Sequence, residues 1–235
     1  MYPTLDSSSS GGTASTGSIY SYSITIGNLH GSGVLMVGAT CQAITANLQN
    51  ILSITINGVA LSHVARISAD NGGGYGSRTE FWTLTGITIP QNGTYTIAIT
   101  YAGNVEAISS GAMAFYNLRP QTYIALGSNS ANGTVPLSVN ITPTTNNSLI
   151  VAIYGSQNDA AVTPGTDQIE VFESRPGSAL TCEGSYKILA NAALTTMSAS
   201  LINPESEEII AVAFQAAPAN AGNAIFMSNG GVAVT

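Results

Sequence analysis

Residues Tyr22 to Thr40, YSITIGNLHGSGVLMVGAT, decide how this chain is read, because Leu137 to Gly155, LSVNITPTTNNSLIVAIYG, repeat their pattern without a gap. In both copies apolar residues alternate with small polar ones (Tyr22, Ile24, Ile26; Leu137, Val139, Ile141). A Gly-, Asn- and Thr-rich turn follows, and then an unbroken apolar run, Val34 to Val37 or Leu149 to Ile153. Alternation marks a strand with one exposed face, and the unbroken run marks a buried strand. Two further pairs recur in the same order: Thr94 to Asn104 with Thr195 to Glu205, and Gly111 to Pro120 with Ile210 to Pro218. The expectation is an all-β chain of two sequence-related antiparallel β-sandwich, jelly-roll-like units packed together, with extended terminal arms.

Composition narrows the function classes. Only 7% of residues are charged while 44% are apolar, so the surface is finished with Ser, Thr, Asn, Gln and Gly, unlike that of an ordinary cytosolic enzyme. Five basic residues in a net charge of -7 leave no patch able to neutralise several phosphates, so nucleic acid is not an expected partner. No apolar run approaches the roughly 20 residues of a spanning helix, and the first residues lack the basic-then-apolar order of a secretory signal. A membrane is therefore not an expected partner either. Cys41 and Cys182 are too few for a disulfide framework and read as free, buried thiols.

Along the chain, residues 1–18 (MYPTLDSSSSGGTASTGS) read as a flexible Ser/Gly-rich arm, disordered or ordered only against a neighbour. The first unit spans 19–125. Its clearest local signal is Ile51 to Ile67, where Asn57-Gly58 sits between two alternating runs and predicts a two-residue hairpin. That turn would pair Ile56 with Val59, Ile54 with Leu61 and Leu52 with His63, which makes His63 a rim residue of an apolar face. Ala69 to Ser77 (ADNGGGYGS) reads as a mobile glycine-rich loop with Tyr75 at its tip, since no Lys-Ser/Thr or helix follows to make it a phosphate loop. Arg78 to Thr88 resumes alternation, with Trp82 and Leu84 on one face and Glu80 at its entrance. The second unit, 126–218, predicts strands near Val135–Ile141, Leu149–Tyr154, Gln168–Phe172, Gly184–Leu189, Thr195–Ile202 and Glu208–Ala216. Residues 219–235 carry two short apolar stretches around Ser-Asn-Gly-Gly and read as a C-terminal strand arm able to add to a sheet edge.

The search for chemistry finds little. Two histidines and twelve acids supply no H-x-x-x-H or G-x-S-x-G pattern and no facing carboxylate pair, so no catalytic residue and no cofactor is expected. Glu205, Glu207 and Glu208, and Asp159, Asp167 and Glu170, read as solvated loop charge rather than as a calcium loop, so no metal is expected.

The order VLMVGAT, SITINGVAL, TEFWTL, TYTIAITYAG, GAMAFYNLRP and then a degenerate round ending AVAFQAAP resembles the tandem β-sandwich segments of tailed-phage structural proteins and bacterial surface proteins, over Ile19 to Pro218. The resemblance implies a non-enzymatic protein. The expected function is a structural protein of a phage particle, capsid-decorating or otherwise exterior, whose partners are copies of itself and other virion proteins. The assembly residues are in the arms: Tyr2 and Leu5 at one end, Ile225, Phe226, Met227, Val232 and Val234 at the other. The alternative is a carbohydrate-binding adhesin or fibre module at a cell surface, contacting host glycans through Tyr75, Tyr154 and Tyr186, or a subunit of an extracellular filament.

Overall fold

The computed structural model describes residues 2–13, 15–29, 32–44, 50–70, 72–120, 123–133, 135–177, 180–203 and 205–218. Strands take up 69% of the structure, with no α-helix among the described residues. The strands are β1 (Thr4–Thr13), β2 (Gly17–Ile26), β3 (Val34–Ile44), β4 (Ile51–Ile56), β5 (Val59–Ala60), β6 (Ser62–Asp70), β7 (Tyr75–Thr85), β8 (Gly93–Val105) and β9 (Ala107–Tyr116). They continue as β10 (Ala125–Asn132), β11 (Leu137–Ile141), β12 (Ser148–Ser156), β13 (Thr163–Pro164), β14 (Ile169–Ser174), β15 (Thr181–Leu189), β16 (Thr195–Ser200) and β17 (Ser206–Gln215).

One strand order is used twice. Sheet I runs β1-β9-β3-β7-β6 and sheet II runs β2-β8-β4-β5; sheet III runs β10-β17-β12-β15-β14 and sheet IV runs β11-β16-β13. Replacing β1, β9, β3, β7 and β6 by β10, β17, β12, β15 and β14 converts the order of sheet I into that of sheet III. The sequence repeats fall on matching strands: β2 and β3 on β11 and β12, β8 on β16, and β9 on β17.

Three apolar clusters separate the four sheets. Ile24, Ile54, Ile56, Ile97 and Ile99 of sheet II pack on Leu35, Val37 and Trp82 of sheet I. Val34, Met36, Phe81 and Phe115 of sheet I pack on Leu149, Val151, Ile153 and Phe214 of sheet III. Ile150, Tyr154 and Ile209 of sheet III pack on Leu137, Val139 and Met197 of sheet IV. Successive residues of β3 therefore enter different layers, Val34 and Met36 one and Leu35 and Val37 the other. Burial of both faces is the physical reason for the unbroken apolar runs in β3 and β12, since neither pleat surface meets water.

Sheets I and III stack with their edges matched. Beside β14, Ser8 and Ser10 of β1 donate through Oγ to the Val171 and Glu173 carbonyls, both at 3.4 Å, and Ser174 Oγ donates to the Gly11 carbonyl at 3.0 Å. At the opposite edge Asn132 Nδ2 of β10 donates to the Asp70 carbonyl of β6. Exchanging each strand for its counterpart turns the β1/β14 contact into the β10/β6 contact, which is the signature of a pseudo-two-fold axis between the sheets.

Three expectations change. The N-terminal stretch, expected as a flexible arm, contributes strand β1, which pairs antiparallel with β9 from Thr4↔Tyr116 to Thr13↔Ile108. Serine and glycine carry little apolar area, but the edge of sheet I supplies a ladder of backbone partners that needs none. The Asn57-Gly58 turn forms, with φ of 47° and 81°, and pairs Ile56 with Val59; Leu61 N–H still donates to the Ile54 carbonyl at 2.8 Å. Leu52 does not pair with His63, because the chain turns a corner at buried Leu61 and β6 crosses to sheet I, where His63 stands opposite Trp82. The glycine-rich loop is also shorter than read: β6 runs to Asp70 and β7 starts at Tyr75.

Candidate functional site

Alternation along β7 sends Ser77, Thr79 and Phe81 into the layer between sheets I and III and Glu80 and Trp82 into the layer between sheets I and II. Glu80 is fully buried there. Its carboxylate accepts from Arg66 Nε at 2.8 Å, from the Ile51 N–H at 3.1 Å and from Trp82 Nε1 at 3.1 Å. These donors come from β6, β4 and β7, so one side chain ties sheet I to sheet II. His63 Nε2 stands 3.4 Å from Glu80 Oε2, the oxygen that accepts from Trp82, and its ring meets Trp82 edge-on at 5.0 Å. Burial lowers the His63 pKa, against the opposing pull of Glu80. His63 also lines a cleft of about 290 Å³ with Ser62, Val64, Thr83, Thr88 and Tyr123.

Three more acids are buried in the second half. Glu208 of β17 reaches across the layer between sheets I and III, accepting from Ser77 Oγ at 2.7 Å, the Ala69 N–H at 2.9 Å and Thr79 Oγ1 at 3.2 Å. Burial pushes its carboxyl up to about 8 despite those three donors. Its neighbour Glu207 points into the opposite layer and accepts from the Tyr154 hydroxyl. Glu183 is fully buried, and burial holds its pKa well above the usual range against the opposing pull of the Ser185 hydroxyl. Chemically, Glu80 and Glu208 are ties between layers, since their acceptor oxygens are filled by donors from a facing or neighbouring strand. Glu207 and Glu208 were expected as solvated loop charge. They lie inside strand β17, and no group of acids, histidines or cysteines among the described residues has the arrangement to hold a metal.

The residues expected to act at the surface are scattered. Tyr2 is 59% exposed, two residues before β1, while Leu5 packs against the layer between sheets I and III. Ile225, Phe226, Met227, Val232 and Val234 lie outside the described residues. Tyr75 is exposed at the first position of β7. Tyr154 is fully buried between sheets III and IV, which removes it as a glycan contact because a ring with no exposed face cannot stack on a sugar. Tyr186 is half-buried and meets Phe115 edge-on at 5.1 Å in the layer between sheets I and III. The three tyrosines thus form no common platform.

Comparison with protein-family models and with curated proteins finds no match for this chain.

The feature least visible in the sequence is the set of sheet edges. Among the described residues the edge strands are β1, β6, β2, β5, β10, β14, β11 and β13. Of these, β2, β5, β10, β11 and β13 contain no charged residue, and β1 contains only Asp6, whose Oδ2 accepts the Gly27 N–H at 2.8 Å. Exposed apolar side chains stand on several edges: Ile19 on β2, Leu126 on β10 and Ile169 on β14. A second cleft, of about 230 Å³, is lined by Arg119, Asn146, Asn147, Gln215 and Ala216 to Pro218, where the described chain passes toward 219–235.

Proposed function

We propose that this chain is a non-enzymatic structural protein of a virus particle, capsid-decorating or otherwise exterior, built as two related β-sandwich units and joined to neighbouring subunits by strand and terminal contacts. The observation that carries the reading is the uncharged sheet edge. Monomeric β proteins blunt their edges with lysine, inward charges or proline, because an unpaired row of N–H and C=O groups accepts strands from other chains. Three of the edge strands described here, β2, β10 and β11, are five or more residues long and carry neither charge nor proline, and Ile19, Leu126 and Ile169 add apolar contact area on β2, β10 and β14. The three buried layers supply a body stiff enough to hold such edges in fixed positions. The low surface charge fits close packing among copies, where each desolvated charge would need a partner.

The test is negative-stain electron microscopy with light-scattering mass on the same sample, for the full chain and for a variant lacking 221–235. Rings, trimers or filaments in the full chain, lost in the truncated one with an unchanged β circular-dichroism spectrum, support the proposal. Equal assembly of both overturns the role given to the C-terminal arm, and a monomer that also fails to decorate isolated particles overturns the assembly reading.

A further inference from the structure

The pseudo-two-fold axis makes each unit a control for the other. Both bury a glutamate at one place: Glu80 stands opposite Ala39, and Glu183 stands opposite Tyr154, the repeat counterpart of Ala39. Both also bulge the neighbouring strand at one place, between His63 and Ala65 in β6 and between Glu170 and Phe172 in β14. This register makes Ser185 the counterpart of Trp82, Glu170 that of His63 and Glu173 that of Arg66. The second unit therefore folds without an indole or an imidazole at these positions. The His63–Trp82 pair, held through Glu80 Oε2 in the first unit, is not something the shared fold demands.

Beside this pair the first unit has the cleft of about 290 Å³. Three connections meet around it. The corner after Leu61 supplies Ser62 and His63, the single 3₁₀ turn Gly86–Thr88 supplies Thr88, and the segment joining the two units supplies Tyr123. Connections of this kind, held by rigid sheets, are where binding residues concentrate. The bulge at Val64 lies next to His63, and bulges re-aim neighbouring side chains.

We propose that this cleft binds one neutral sugar ring, a pyranose, with Tyr123 as its stacking surface and His63 as its fixed polar contact. Among the described residues no Asp, Glu, Lys or Arg lines the cleft, so a charged ligand finds no counter-charge there. The hydroxyls of Ser62, Thr83, Thr85 and Thr88 each donate and accept, which suits a ligand with hydroxyls around its ring. Val64 and Leu84 supply apolar ground for the C–H groups of such a ring. Tyr123 is 38% exposed, so its ring is there to be covered, as that of buried Tyr154 is not. Glu80 orients His63 before any ligand arrives, which lowers the ordering cost of binding. Burial lowers the His63 pKa, so at neutral pH the imidazole is uncharged and suits an uncharged partner. The volume is at the small end for ligand clefts and restricts the site to one ring. Binding here needs a single chain, so it stands or falls separately from assembly.

The experiment is saturation-transfer NMR with calorimetry on the full chain. The neutral probes are the methyl glycosides of glucose, galactose, mannose and N-acetylglucosamine, and N-acetylneuraminic acid is the charged one. At least one neutral probe should bind saturably at millimolar concentration. Tyr123→Ala should weaken that binding at least tenfold, and Tyr123→Phe should keep it. Thr88→Trp, which fills the cleft from its rim, should weaken it as much as Tyr123→Ala, while Tyr75→Ala should leave it unchanged. Tyr123 and Thr88 are exposed, so these variants should keep the urea midpoint of the parent. The proposal is overturned if no neutral probe saturates, if Tyr123→Ala and Thr88→Trp bind as the parent does, or if N-acetylneuraminic acid binds more tightly than every neutral probe.

Discussion

Gly38 faces Ile153 across the layer between sheets I and III: a β-carbon on Gly38 would lie 2.6 Å from both Cδ1 and Cγ2 of Ile153. These two residues occupy the same position in the repeat that pairs Tyr22 to Thr40 with Leu137 to Gly155. Two residues further along, Gly155 faces its own counterpart, Thr40, with a β-carbon 2.5 Å from Thr40 Oγ1. Equivalent residues meet only on a two-fold axis, so β3 and β12 cross on the pseudo-axis. At each such meeting one partner is glycine, because two large side chains there would collide and two glycines would leave a hollow.

This pairing predicts strong coupling. Gly38→Ala should cost about 1–3 kcal/mol through overpacking, and Ile153→Ala about 2–5 kcal/mol through the cavity it leaves. The double variant should lose less than the sum, by about 0.5–3 kcal/mol, because alanine at 38 then occupies space that Ile153 has vacated. Urea unfolding of the four proteins measures the coupling; simple additivity would show that the two residues do not meet.

Glu208 predicts a pH dependence. Its carboxyl rises from an ordinary value of 4.5 to about 8 on folding, so the folded chain holds the proton more tightly than the unfolded chain. The corresponding stabilisation is complete below pH 4.5 and is lost as pH rises to about 8. The slope is at most about 1.4 kcal/mol per pH unit. Glu183 is shifted in the same direction by burial and adds to the fall. Glu208→Gln keeps the shape and an acceptor oxygen while removing the titration. Urea midpoints between pH 5 and 9 should therefore fall less steeply in the variant than in the parent, and parallel curves would show that Glu208 does not carry the effect.

The thiols give a further expectation. Cys41 lies in the layer between sheets I and II and Cys182 in the layer between sheets I and III; neither is in a disulfide, and burial pushes each up to about 12. With almost no thiolate at pH 8, neither should react with a thiol reagent in the native protein, and both should react once urea unfolds it. Fast labelling of one thiol under native conditions would show that its layer opens locally.

Much of the fold is legible in particular residues. Asn57-Gly58 announces its hairpin because few other dipeptides accept two positive φ values, and Val34 to Val37 and Leu149 to Ile153 announce buried strands. The predicted strands of the second half, from Val135–Ile141 to Glu208–Ala216, fall on β11, β12 and β14 to β17. Strand β1 is missed because TLDSSSSGGT has no alternation to read; it is held by the ladder of β9, with Gly11 fitting under Tyr20 and Gly12 against the Ile108 carbonyl. Glu208 is missed as an inter-layer tie because its donors, Ala69, Ser77 and Thr79, are more than 120 residues away.

What the sequence by itself determined is therefore local and periodic: strands, turns, a repeated unit and a surface poor in charge. Those properties depend on neighbours within a few residues, where backbone preference and alternation act directly. Only the tertiary structure decided that sheets I and III pack face to face across a pseudo-two-fold axis, that Gly38 makes room for Ile153, and that Tyr154 is buried rather than exposed. Such pairings join residues far apart in the chain, and complementary shape, not local preference, selects among them.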